Sequence, residues 1–232
     1  MKRNTYVTLG ASTLAVLAAA ALGASPATAS PDPDRVDRNV TLSAELHELN
    51  SSGVTGSAFA VVKNKKIKHI EVHASGLTPD APHAQHIHYG EQATNECPTL
   101  ALDANGDGRL NTVEGIPAYG PVVVSLTTAG DTGPGSFLDV TRFPVLADGE
   151  YSYSRDNIKI TEVAGTGYPG PEGTGTAAQI AEAIRDGEGV VVIHGLDYDG
   201  DGEYSLSDEG LSELPGGLPA EATDPAACGV LR

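Results

Sequence analysis

His83-Ala84-Gln85-His86-Ile87-His88 is the stretch on which the reading of this chain turns. Side chains of a β-strand alternate between faces, so His86 and His88 project together while Ile87 points to the opposite side, into a core. Two imidazoles presented this way can grip one metal ion, and neutral imidazole suits copper, zinc, iron or nickel. His83 stands outside the pair and reads as a structural hydrogen-bonding residue. His69, Glu71 and His73 also share one strand face, opposite Ile70, Val72 and Ala74. On spacing they could make a second site, although alternating polar residues usually mark the wet face of a sheet.

The same period of two recurs on either side of the motif. Val40, Leu42, Ala44 and Leu46 alternate with polar neighbours, and further strands are expected over residues 56–62, 84–88, 122–126, 137–142, 151–154, 190–194 and 228–231. Residues 63–66 read as a hairpin turn. One short helix interrupts the pattern: Ala177, Ile180, Ala181 and Ile184 share a face, Thr174 or Thr176 can cap its start, and Gly187 stops it. The expectation is a single antiparallel all-β domain over residues 39–232, a sandwich or barrel with irregular loops.

Two of those loops carry a metal signature of their own. Asp103, Asn105, Asp107, Arg109, Asn111 and Glu114 occupy the ligand positions of a twelve-residue calcium loop, with Gly108 at its sharp turn. Arg109 would offer its carbonyl, Asn111 would act through water, and Glu114 would close the cage with both oxygens. The second copy is Asp197, Asp199, Asp201, Glu203, Ser205 and Asp208, with Glu209 adjacent. Its twelfth residue is the shorter Asp208, so this site should be the weaker. Neither loop reads as half of a helix-loop-helix hand. Residues 190–193 read as a buried strand before the second, and Gly115-Ile116-Pro117 forbids a long exit helix after the first. Calcium at both sites would neutralise local carboxylates and restrict the loops.

The chain begins with Lys2 and Arg3, a mostly apolar run over 7–23 and the cleavage-type tripeptide Ala27-Thr28-Ala29. Residues 1–29 therefore read as a signal peptide and 30–38 as a flexible leader, implying a secreted, extracellular protein with no membrane anchor. Loss of Lys2 and Arg3 reduces 14 basic residues to 12 against 31 acidic ones, a formal charge of −19. Such a field argues against nucleic acid or anionic membrane as partner, and disfavours an anionic substrate at long range. No nucleophile elbow, phosphate loop or paired-carboxylate pattern points to a hydrolase.

Gly76-Leu77-Thr78 ahead of the His-x-His strand, Cys97 after it, Val190-Val191-Val192-Ile193-His194-Gly195 and Ala227-Cys228-Gly229-Val230 together resemble the copper/zinc superoxide dismutase family over most of residues 40–232. The resemblance implies a Greek-key β-sandwich or barrel with two long loops, here those with the calcium-type sequences. It implies copper held by His86, His88 and His194, the same residues being catalytic, with superoxide as substrate if the chain is an enzyme. It also implies a disulfide between Cys97 and Cys228, an even cysteine count in an oxidising compartment. Two features depart from the family. No histidine lies between His88 and His194, so the bridging histidine and zinc ligands have no counterpart and zinc is not expected. The family's guiding arginine falls on Pro225.

Three classes of function fit these features. The first is a copper-dependent superoxide dismutase whose loops are ordered by calcium instead of zinc. The second is a copper-binding protein without that chemistry. The third is a calcium-stabilised interaction module without transition metal, since the 84–88 region and the strand pattern also show a weaker resemblance to the chordin-type domain. The sequence leaves the number of subunits open.

Overall fold

A computed structural model describes residues 38–148, 150–207 and 209–232. The expected signal peptide, and the leader up to residue 37, lie outside the described residues. Eight strands form one antiparallel sheet: β1 (Val40–Glu48), β2 (Thr55–Lys63), β3 (Lys66–Ser75), β4 (Gln85–His88), β5 (Val122–Ser125), β6 (Tyr151–Lys159), and two later strands. A minor hairpin of β7 (Val163–Ala164) and β8 (Thr174–Gly175) intervenes before β9 (Val190–His194) and β10 (Pro225–Val230) complete the large sheet. Its order is β5-β4-β9-β10-β1-β2-β3-β6.

The alternation read from the sequence explains why this sheet curls. Leu42, Leu46, Ile70 and Val72 from one half pack into the same core as Ile87, Val124, Val191 and Ile193 from the other, so the sheet curls into a half-barrel with β5 and β6 at its edges. Each such side chain contributes about 1.5–3 kcal/mol on full burial. The core is closed by the helix Ala177–Arg185, whose Ile180, Ala181 and Ile184 are buried. Thr176 caps it in a reciprocal arrangement with Gln179.

The chain is mostly β, but it holds more than one short helix. Helix α1 (Thr112–Tyr119) follows the first acidic loop, α2 is Ala177–Arg185, and α3 (Ala220–Thr223) is a single turn before β10. A short exit helix therefore exists where Gly115 and Pro117 were expected to discourage a long one. Asn111 accepts from the Glu114 N–H and the Glu114 carboxylate accepts from the Asn111 N–H, a capping box that outweighs the proline until Gly120 ends the helix.

Residues 137–142 are not a strand. Local turns take their hydrogen bonds: the Phe137 N–H donates to Pro134 at 3.2 Å and the Arg142 N–H to Asp139 at 2.9 Å. Arg142 also ties this segment together by donating to Asp139, Ala129, Asp131 and Ser136. The apolar residues of this stretch serve as a cover for the histidine site rather than as rungs of a ladder. Among the described residues no helix is long and apolar enough to cross a membrane.

Cys97 and Cys228 form a disulfide with Cα atoms 5.7 Å apart, tying the β4–α1 connection to the last strand across 131 residues of sequence. Cys228 packs with Val190, Val192, Tyr119 and Leu49 in a small second core. This core lies on the face of β9 opposite Val191 and Ile193. Replacing both cysteines by serine should lower the unfolding free energy by about 4 to 5 kcal/mol in the chain-entropy limit. Denaturant titration of the double variant against the native chain measures it, and an unchanged midpoint contradicts it.

Candidate metal centre

Strand register brings the three histidines together. His86 pairs with Val192 of β9 and His88 with Val190, so both imidazoles share the face of those two valines. His194 is two residues beyond Val192, on the same face and diagonal to His86, and its N–H donates to the Ala84 carbonyl at 2.8 Å. Diagonal neighbours on one face are within reach of long side chains. The ring centroids of His86 and His194 are 5.2 Å apart, those of His86 and His88 5.6 Å, and those of His88 and His194 6.1 Å. One nitrogen from each ring falls in a group whose members are all within 4.8 Å of one another.

Hydrogen bonding decides which nitrogens these are. His86 Nε2 donates to the Phe137 carbonyl at 3.1 Å, His88 Nδ1 to Gly120 at 2.9 Å and His194 Nδ1 to Thr223 at 2.6 Å. A carbonyl can only accept, so each of these nitrogens carries the proton and the other keeps its lone pair. The others, His86 Nδ1, His88 Nε2 and His194 Nε2, are buried without a protein partner. The three side chains are only 2–3% exposed. Three unpaired lone pairs in dry surroundings are costly unless a cation or a donor meets them.

Electrostatics keep the rings neutral. Burial pushes His88 down to about 3, with further lowering from His194. Burial likewise takes His194 to about 4 and His86 well below its ordinary value, neighbouring His194 and His88 adding to the latter. A small pocket above the rings is walled by Val122, Phe137, Leu138, Val140, Leu214 and Leu218, and no charged side chain among the described residues lines it. Phe143 stands edge-on to His86 at 5.4 Å, and Tyr119 lies 4.4 Å from His88.

The other histidines do different work. His83 is buried, with Nε2 on the Thr78 carbonyl at 2.9 Å and Nδ1 between the His194 carbonyl at 3.1 Å and the Tyr204 hydroxyl at 3.0 Å. His69 has both nitrogens engaged by carboxylates, Asp156 at 2.7 Å and Glu71 at 3.0 Å. Those bonds, that to Asp156 first, raise its pKa. His73 lies 3.9 Å from Glu71 at the exposed end of this row. The row is an acid-paired surface strip.

The two acidic loops fold alike. Asp103 accepts from the N–H groups of Gly106 at 2.7 Å and Gly108 at 2.9 Å, and Asp197 accepts from Gly200 and Gly202, both at 2.7 Å. Asn105 accepts from Asp107 and Asp199 from Asp201; Asp107 accepts from Arg109 and Asp201 from Glu203. In the first loop Glu114 closes the turn, accepting from Ala104 at 2.9 Å and from Asn111 at 3.1 Å.

The second loop is closed by a residue its own sequence does not contain. Glu221 of α3, fully buried, accepts from Tyr198 at 3.1 Å and from Ser205 at 2.7 Å. Tyr198 and Ser205 hold the second and ninth places of their loop, the places of Ala104 and Asn111 in the first. Glu221 also joins Asp197 and Asp199 in a group of carboxylates within 4.8 Å. Glu209 instead accepts from the Ser207 hydroxyl at 2.7 Å, and Asp208 lies outside the described residues. Nothing in local spacing announces Glu221; only the packing of a turn next to β10 delivers it.

No family model matches the sequence, and no curated protein is significantly similar to it.

The lowered histidine pKa values fix a pH dependence for the metal-free chain. Unfolded histidine takes up its proton near 6.5, whereas His194 and His88 resist protonation until about 4 and about 3. Between those values the unfolded chain binds more protons, so stability is full above about 6.5 and falls as the pH drops through this window. Denaturant midpoints from pH 7 to 4 should fall more steeply for the native chain than for His88→Gln. Parallel slopes would contradict the burial of neutral rings.

Proposed function

We propose that this chain is a secreted copper-binding protein of the copper/zinc superoxide dismutase type, with loops ordered by calcium. The observation that carries the reading is the set of three buried ring nitrogens, His86 Nδ1, His88 Nε2 and His194 Nε2, left without protein partners on three rings that each bring a nitrogen within 4.8 Å of the others. Three neutral imidazoles suit a borderline or soft divalent ion, and copper ranks highest in affinity for such nitrogen donors. The donor set fits the ion. Each ligand is oriented by a backbone carbonyl on its far nitrogen, the arrangement that fixes the tautomer and raises ligand basicity.

The fold supports the same resemblance. Strands distant in sequence pair with one another, β3 with β6, β4 with β9 and β10 with β1, and such long-range pairings are what a Greek-key arrangement needs. The disulfide is compatible with an oxidising, extracellular destination. Calcium is the cation whose oxygen preference matches the acidic loops, with Glu114 and Glu221 as the closing carboxylates.

Bound copper would supply one-electron redox chemistry. Among the described residues, those around the rings present apolar walls and no charged side chain to an approaching anion. Pro225, at the guiding-arginine position, is paired with His194 in register. Arg109 is committed to Asp224 and Asp107. We therefore rank copper holding above rapid superoxide dismutation. A three-nitrogen set with room for a small ligand above it keeps dismutation as the second reading.

Titration of the metal-free, disulfide-bonded chain with copper should give one tight site. Substituting His86, His88 or His194 by glutamine should each weaken it by at least about 100-fold, given that loss of even an outer partner costs 10–100-fold. Binding unaffected by all three substitutions would refute the assignment. Superoxide decay followed by stopped flow separates the two readings: a copper-loaded chain no faster than free copper excludes the dismutase. Calcium should protect residues 103–114 and 197–209 from limited proteolysis, and a chelator should reverse this; cleavage indifferent to calcium contradicts the loop assignment.

A further inference from the structure

His194 is held from outside its own strand. Its Nδ1 donates to the Thr223 carbonyl at 2.6 Å, and the same oxygen receives the Thr112 hydroxyl at 2.5 Å. Thr223 ends α3, and the next residue, Asp224, is fully buried. One carboxylate oxygen of Asp224 receives both the Arg109 guanidinium, in a short ion pair, and the Tyr198 hydroxyl at 3.0 Å. Its other oxygen, Oδ1, has no protein partner.

The backbone of Asp224 is also fastened. Its N–H donates to Ala220 at 2.8 Å, and its carbonyl accepts from the N–H of Gly195, directly after His194, at 3.0 Å. Asp224 therefore sits directly before β10, bonded to the residue that follows His194 at the end of β9. Arg109 comes from the first acidic loop and Tyr198 from the second. A buried carboxylate is costly to desolvate and tolerates little displacement from its counter-charge. The pair with Arg109 and the bond from Tyr198 consequently fix where the Thr223 carbonyl stands, and that carbonyl sets the ring plane and tautomer of His194.

We infer that Asp224 is a positioning residue for the three-histidine site: anchored by Arg109 and Tyr198, it holds the Thr223 carbonyl that orients His194. The inference rests on the copper-binding reading for its effect on affinity, but the orientation itself belongs to the metal-free chain. Asp224 does not line the pocket above the rings, and the Thr223 hydroxyl donates to Ser212 and Ala220. Their influence passes through His194.

The test uses the full disulfide-bonded chain with Asp224→Asn, Tyr198→Phe and, as a stability control in the distant core, Ile158→Val. Copper affinity should fall roughly 10-fold or more in Asp224→Asn, the range for residues that orient a ligand. Tyr198→Phe should shift it the same way by a smaller factor. The Cu(II) electron paramagnetic resonance spectrum should change in both variants, and so should the His194 Nδ1–H resonance of the metal-free chain. Ile158→Val should leave all three readouts in place. Native affinity, spectrum and resonance in Tyr198→Phe and in folded Asp224→Asn overturn the proposal. Should Asp224→Asn fail to fold, Tyr198→Phe decides. Failure of the native chain to bind copper would sink the copper reading, while the His194 resonance would still decide the positioning role.

Discussion

Three imidazoles, each spending one nitrogen on a backbone carbonyl and turning the other into a dry common space, are the constraint on which this structure depends. The carbonyls belong to Phe137, Gly120 and Thr223. They come from three different connections: the β5–β6 segment, the end of α1 and the end of α3. None of these connections is free to move without losing a hydrogen bond to a buried ring. Loops of little regular structure are thereby fastened to a rigid sheet at the point where chemistry would occur.

The sheet makes this possible because β9 is buried on both faces. Val191 and Ile193 serve the main core, and Val190, Val192 and His194 face the other way. A one-residue slip between β4 and β9 would send His86 and His88 into the main core and Ile87 into the metal-type site. The hydrophobic pattern forbids that slip, since Ile87 has no exposed surface and packs with Val191 and Ile193. Site geometry and core packing are thus enforced by the same register. The disulfide reinforces it from the neighbouring strand, because Cys228 pairs with Val192, the partner of His86.

Much of this was legible in the sequence wherever the signal was periodic or local. The His-x-His pair follows from the two-residue period of a strand, and the acidic loops follow from spacing that their Asp and Gly residues obey without reference to the rest of the chain. The helix at Ala177–Arg185 was readable from its apolar face and its cap. Residues 137–142 misled because three apolar positions, Phe137, Leu138 and Val140, in a short run resemble a strand until the bonds of Asp131, Asp139 and Arg142 are known. Glu221 was out of reach for a different reason. Its neighbours in sequence are alanines in a single helical turn, and its partners Tyr198 and Ser205 come from a loop on the far side of a long connection.

The charge distribution narrows what this arrangement can do. The chain is strongly acidic, yet its acids are concentrated in the loops and on the surface strip around His69, while the pocket above the three histidines is lined by uncharged side chains. Two arginines on the connections around it are already matched: Arg109 with Asp224, and Arg142 with Asp139. An anion reaching the pocket would leave water without meeting a counter-charge, at a cost that an apolar wall does nothing to offset. Since no charged side chain among the described residues lines the pocket, positive charge there would come from a cation held by the three neutral nitrogens. On the proposed reading, selectivity for small ligands then rests on the apolar lid and on the net charge of the ion, rather than on a guiding side chain.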